Sequence, residues 1–132
     1  MIKPYEKLKF YQDICEIRKM IHKITQRFDK SYMRLVSQMR DAARSAKQNI
    51  REGYVRGSLA EFIRSIRISQ GSLEELSGDI EDCLEDDLIN KSEYEEFMKL
   101  YRSASYMSNQ YIKAMSQSTN KKNWKATGET GK

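Results

Sequence analysis

Residues that would mark a secreted, metal-binding or membrane protein are scarce in this chain. It has two cysteines, one histidine and one proline among 132 residues, and no apolar run approaches the roughly 20 residues that cross a bilayer. Cys15 and Cys83 form no CxxC pair, so buried free thiols are expected rather than a disulfide or a zinc site. The apolar core of a signal peptide is absent from the N-terminal MIKPYEKLKF. We therefore expect a cytoplasmic protein with no membrane segment, no metal and no cofactor.

The low proline content and the absence of alternating apolar residues favour an all-α protein. Hydrophobic residues make up 39% of a chain whose length suits one domain. Four apolar-periodic segments with short connections predict an antiparallel up-down-up-down four-helix bundle over residues 1–116. Residues 117–132 form a basic polar tail rich in Ser, Thr, Asn, Lys and Gly, and this composition predicts disorder unless a partner orders it.

Apolar spacing defines the inner face of the predicted helices. In residues 10–28 the apolar residues recur four and three positions apart, which suits left-handed bundle packing. The second helix, residues 31–52, has several alanines and Ser45 on this face. Because these side chains are small, we expect another helix to approach closely, and we assign Ser45 a packing role.

Capping boxes mark the starts of the third and fourth helices. Ser58 with Glu61, and Ser92 with Glu95, match the pattern in which a serine and a glutamate satisfy each other's backbone amides. The third helix is expected to end near Leu84.

Glycines give two further expectations. Gly53 is predicted to close the second helix, because glycine adopts the left-handed conformation without a steric penalty. Gly71 and Gly78 fall inside the third helix, where each costs about 1 kcal/mol relative to alanine. We therefore expect a neighbouring backbone to pack closely against both.

The net charge of +5 conceals a strong separation of charge along the chain. Residues 1–67 contain sixteen Lys and Arg against seven acids, whereas residues 68–100 contain two against eleven. In an antiparallel bundle the chain ends and the connection between helices two and three share one end. We therefore expect a bipolar molecule, with a basic pole at that end and an acidic pole at the other.

Four basic residues of the second helix fall on one face, because they are spaced four, three and four positions apart. We call them the basic stripe: Arg40, Arg44, Lys47 and Arg51. Together with Arg56 they are the candidate nucleic-acid-binding residues, because such a stripe can bind phosphates and release counterions. Tyr54 and Trp124 near the same pole could stack on unpaired bases. The alternatives are a solvated face and charge pairing with another subunit.

The middle of the chain contains a set of motifs typical of one known family. They are Ser37-Gln38-Met39-Arg40, Ala42-Ala43, Ser45, Asn49-Ile50, Glu52-Gly53, Arg56-Gly57-Ser58, Glu61-Phe62 and Gly71-Ser72-Leu73-Glu74-Glu75-Leu76. These motifs resemble the bacterial four-helix bundle family of 23S rRNA intervening-sequence proteins, to which the accessory variability determinants of diversity-generating retroelements are related. The likeness extends over about residues 10–114. One departure is Ala46-Lys47-Gln48, where the family usually has an Ile-Pro or Ile-Ala pair.

The resemblance implies a homopentamer that narrows like a barrel. It also implies a function connected with RNA, since relatives are encoded inside rRNA insertions or act beside a reverse transcriptase and its template RNA. Together with the basic stripe, this favours a non-catalytic, oligomeric RNA-binding accessory protein that contacts phosphates without reading sequence. The alternative is a scaffold or adaptor ring that binds a partner protein such as a reverse transcriptase.

An enzymatic function is not expected. Carboxylate-bridged di-iron bundles need Glu-x-x-His pairs, but the single histidine, His22, has Lys19 three residues before it. A nucleophilic Ser45 would need a base and an orienting group, which its neighbours in sequence do not supply. The carboxylates of the third helix have no apolar surroundings and are interpreted as a solvated acidic face.

Overall fold

The computed structural model describes residues 2–117 and Trp124. All regular elements in this part of the chain are helices and none is a strand, so the predicted all-α class is confirmed. The four long helices are α1 (Lys9–Thr25), α2 (Met33–Arg56), α3 (Leu59–Glu85) and α4 (Lys91–Ser116). Short 3-10 helices at Pro4–Lys7 and Lys30–Tyr32 precede α1 and α2.

The four helices pack in a square, in which α1 contacts α2 and α4, and α3 contacts the same two helices. At one end of the square the ring of Tyr5, which precedes α1, packs on Tyr54 of α2 with centroids 5.1 Å apart. At the opposite end Arg27, which follows α1, donates a 3.2 Å hydrogen bond to the carbonyl of Leu88, which precedes α4. The helices therefore run in the antiparallel order that the sequence predicts.

α2 and α3 form the most extensive helix pair, and small side chains bring them together. Ala42 and Ala46 of α2 are buried, and the hydroxyl of Ser69 donates a hydrogen bond to the carbonyl of Ala46. At Gly53 an added Cβ would overlap the side chain of Ser65. Glycine is thus required at this position because the backbone of α2 lies directly against a side chain of α3.

The glycines have different roles from those predicted. Gly53 lies inside α2, which continues to Arg56 and ends on Gly57 in the left-handed conformation, with φ 98°. A Cβ added at Gly71 or Gly78 would meet no atom within 4 Å, so the close packing predicted there is wrong. Both lie on the exposed outer face of α3, whereas the close approach occurs at Gly53 on the inner face of α2.

The helix starts agree in part with the predicted capping boxes. The Ser58 hydroxyl accepts a 3.1 Å hydrogen bond from the Glu61 amide at the start of α3. At the start of α4 the capping box is formed by Asn90 and Glu93, at 2.8 and 3.0 Å, two residues earlier than predicted. Asparagine is as good an N-cap as serine, and Ser92 becomes part of the first turn.

Trp124 belongs to an aromatic cluster at the end of the bundle where α2 meets α3. Its ring stacks on Phe62 with centroids 4.9 Å apart, and its edge meets Tyr54 at 5.5 Å. Only 4% of Trp124 is exposed, so the prediction that it stacks on nucleic-acid bases is wrong. The remaining predicted tail, residues 118–123 and 125–132, lies outside the described residues.

The end of the bundle that was predicted to be acidic carries charges of both signs. The connection between α1 and α2 also lies at this end and contributes Arg27 and Lys30. The guanidinium of Arg27 donates to both carboxylate oxygens of Glu93, at 2.6 and 2.7 Å. The end predicted to be acidic therefore also contains basic residues, because residues 1–67 extend over both ends of the molecule.

We expect Gly53→Ala to lower the free energy of unfolding by about 1–3 kcal/mol, because the new methyl group would overlap Ser65. Urea unfolding followed by circular dichroism measures this. Gly71→Ala is the matched control and should raise the free energy of unfolding by about 1 kcal/mol, since that glycine faces open space inside a helix. Equal shifts of the unfolding midpoint in the two variants would contradict the close approach.

The ion pair between Arg27 and Glu93 should make the free energy of unfolding depend on pH in the acidic range. Hydrogen bonds from Arg27 hold the pKa of Glu93 below its ordinary value of 4.5. The stabilisation is therefore present above pH 4.5 and is lost as the pH falls through the folded-state pKa. Because both side chains are partly exposed, Glu93→Gln should cost less than about 1 kcal/mol at neutral pH.

Urea unfolding of Glu93→Gln and wild type over a pH series tests this expectation. The difference between the two proteins should shrink as the pH is lowered below 4.5. Glu95→Gln is the control, because Glu95 is exposed and makes no ion pair with the described residues. A Glu93→Gln difference that stays constant with pH would refute the assignment.

Candidate nucleic-acid interface

The basic stripe lies on the flank of α2 that borders α1. At one end of the stripe the Arg40 side chain reaches Thr25 and His22 of α1. At the other end of the stripe, Arg51 lies near Tyr5. Burial raises the pKa of Tyr5, and the positive charge of Arg51 lowers it. Tyr5 immediately precedes α1, so both ends of the stripe lie near α1, whereas Arg44 lines a groove formed by other residues of α2.

Arg40 is fixed to the C-terminal end of α1. Its Nε donates to the Thr25 hydroxyl at 2.9 Å, and one Nη donates to the His22 carbonyl at 3.3 Å. The Thr25 hydroxyl in turn donates to the Ile21 carbonyl at 2.6 Å. A guanidinium carries five N–H donors, so Arg40 satisfies a helix end and keeps donors for a further ligand.

The other three residues of the stripe are not committed to carboxylates. Arg44 and Arg51 are exposed, and Lys47 is half-buried. Within residues 2–117, no Asp or Glu oxygen lies within 4.0 Å of the charged nitrogens of these three side chains. No carboxylate pairs directly with these charges, although Asp41 and Glu52 line the same shallow groove as Arg44.

Arg56 does not join the other candidate residues. It lies five residues beyond Arg51, which is about 1.4 turns of helix and places it on the flank of α2 facing α3. There it lines a small groove with Arg64 and with the acids Glu52 and Glu61. The structure thus keeps four of the five predicted residues on one face and separates the fifth among charges of both signs.

Sequence reasoning missed the contribution of α1 to this face. Arg18 precedes His22 by four residues and Thr25 by seven, so all three share the side of α1 that meets α2. The spacing was visible in the sequence, but not which helix lay opposite. We call the basic stripe together with Arg18 and His22 the α1–α2 face.

The side chains considered for enzymatic chemistry have structural contacts. The Ser45 hydroxyl lies 3.3 Å from the Ser72 hydroxyl and accepts a 3.1 Å hydrogen bond from Asn49, so it helps to join α2 to α3. The Cys83 thiol lies 3.8 Å from the sulfur of Met39, and burial raises its pKa to about 11. Cys15 is a half-buried free thiol. Both are free thiols, but only Cys83 is buried as predicted.

The described part of the chain contains no candidate metal site and no candidate membrane span. In residues 2–117 and Trp124, no group of three or more His, Cys, Asp or Glu is placed to hold a metal ion. No helix formed by these residues is both long and apolar enough to cross a membrane.

The fold and this surface define a small all-α protein, a four-helix bundle with a row of basic side chains along one flank of α2. The family model described as 23S rRNA-intervening sequence protein matches residues 6–110, which include α1, α2, α3 and most of α4. The chain belongs to this family, and the resemblance seen in its central motifs is confirmed to that extent. No curated protein matches the chain.

Arg40→Gln should lower the free energy of unfolding by about 1 kcal/mol, because it removes hydrogen bonds that satisfy the end of α1. Arg44→Gln carries the same charge change at an exposed position and should stay within about 0.5 kcal/mol of wild type. Urea unfolding of the two variants measures both values. Equal stability would show that Arg40 does not support the helix end.

Proposed function

We propose that this protein is a non-catalytic, oligomeric RNA-binding accessory protein that contacts phosphates through the α1–α2 face without reading sequence. It would be encoded by an rRNA intervening sequence or by a retroelement. The observation that carries the proposal is the basic stripe, in which Arg44, Lys47 and Arg51 have no carboxylate within 4.0 Å among the described residues.

A row of basic side chains that have no direct carboxylate partner is suited to binding a polyanion. Each Lys or Arg that neutralises a phosphate releases counterions, so the affinity falls with salt and depends little on sequence. Arg44 and Arg51 are exposed, and a charge held in water contributes little to folding. Membership of a family named for a 23S rRNA insertion supports RNA as the polyanion.

A homopentameric assembly in the cytoplasm is part of the proposal and rests on the family resemblance. The surface leaves room for such contacts away from the stripe. Ile68 of α3 is 46% exposed and does not lie on the α1–α2 face.

The second candidate function is a scaffold or adaptor that binds a partner protein such as a reverse transcriptase. The observation that favours it is the outer face of α3, which is exposed and acidic over its second half. Its exposed acids are Glu74, Glu75, Glu81, Asp82 and Glu85. This surface would repel RNA and attract a basic protein.

The triple variant Arg44→Gln, Lys47→Gln, Arg51→Gln tests the leading proposal. We expect weaker binding to a fluorescein-labelled RNA hairpin, measured by anisotropy between about 50 and 200 mM salt. The slope of log affinity against log salt should fall by about two to three, because up to three phosphate contacts are lost.

The matched control is Arg67→Gln, Lys99→Gln, Lys113→Gln, which removes three exposed charges from α3 and α4. It should keep most of the affinity and of the slope. Light scattering should give a pentamer mass for both variants, so that a change of assembly is not mistaken for lost contacts. Equal losses of RNA affinity in the two variants would show that net charge alone, and not the stripe, accounts for binding. The absence of RNA binding by wild type would refute the proposal.

A further inference from the structure

A groove opens where the end of α1 meets the start of α2, at one end of the basic stripe. Its volume is about 680 Å³, and it borders Arg40, the first residue of the stripe. Three apolar side chains line it: Phe28, Met33 and Val36. The groove combines these apolar side chains with polar and charged ones, a lining that suits a flat ligand with polar edges, such as a nucleobase.

Two apolar side chains of the groove are accessible to solvent. Met33 is 68% exposed although it lies in the first turn of α2. The ring of Phe28 is half-buried and packs edge-on against Tyr32, with centroids 6.3 Å apart. The groove therefore offers a fixed aromatic ring and a flexible thioether, both of which can cover the face of a flat aromatic ligand.

Cations connect this groove to the stripe. Lys30 and Arg40 line it, and Arg40 keeps donors beyond those used by Thr25 and His22. Met33 lies seven residues before Arg40, about two turns of the same helix. A strand whose phosphates follow the stripe would reach the groove without leaving a positively charged surface.

Asp29, the acidic residue in the groove, favours a nucleobase over a phosphate as the ligand. Asp29 accepts hydrogen bonds from the amide and the hydroxyl of Ser31 through one oxygen, Oδ2, at 3.2 and 2.6 Å. These bonds lower the pKa of Asp29, so it is an anion at neutral pH. An anion repels phosphate, whereas its second oxygen can accept from the N–H groups on the edge of a nucleobase.

We propose that this groove holds one unpaired base of an RNA strand whose backbone follows the basic stripe. The inference rests on the proposed function, since it requires that the stripe binds RNA. It assigns the groove a stacking role, and it predicts a preference for single strands with bases over a bare sugar-phosphate chain.

The test compares two strands of the same length, a labelled oligouridine of about a dozen nucleotides and its abasic counterpart, by anisotropy. Met33→Gln changes an exposed side chain, and Phe28→Leu removes the ring. We expect each to weaken binding of oligouridine by about fivefold, to leave the abasic strand unaffected and to keep the salt slope. Tyr106→Gln, an exposed apolar residue of α4, is the control and should change neither.

Several outcomes would overturn the base site. Wild-type affinity for oligouridine in both groove variants, with binding still lost in the triple stripe variant, would leave the RNA function intact and turn attention to a protein segment in the groove. Equal weakening on both strands would mean that the groove touches the backbone. If wild type bound neither strand at low salt, the proposed function itself would fall as well.

Discussion

The close approach of α2 and α3 is the constraint on which the rest of the structure depends. The two helices meet where Gly53 lies against Ser65 and where Ser69 donates to the carbonyl of Ala46. Small side chains on the inner face of α2 let α3 come near, and this fixes how α2 is rotated about its own axis. With that rotation set, the long basic side chains of α2 fall on the flank beside α1.

Arg40 joins the fold to the candidate interface. It satisfies carbonyl and hydroxyl groups at the end of α1 with part of its guanidinium, and it lines the groove from which the stripe extends. The stripe is therefore aligned with α1, and its first residue is held in place before any ligand arrives. Arg40 would therefore lose little conformational entropy in the proposed contact with a phosphate.

Charge in this protein differs between the sides of the bundle as well as between its ends. The connection between α1 and α2 brings basic residues to the same end as the acidic residues before α4, and Arg27 pairs there with Glu93. The uncompensated positive charge runs instead along α1 and α2, whereas the outer face of α3 becomes acidic in its second half. A polyanion approaching the molecule would be drawn to one side and repelled from another, which orients the encounter.

The sequence by itself determined the number of helices, their order and most of their inner faces, because apolar spacing and composition are local properties of a helix. It also placed the four residues of the stripe on one face of α2. Only the tertiary structure decided that this face borders α1 and that Arg56 turns toward α3. It also decided that the α1–α2 connection brings basic residues to the end predicted to be acidic. The roles of the glycines were likewise settled there, since a close approach depends on what lies opposite Gly53. Contacts between helices join residues distant in sequence, and spacing within one helix carries no information about the neighbour.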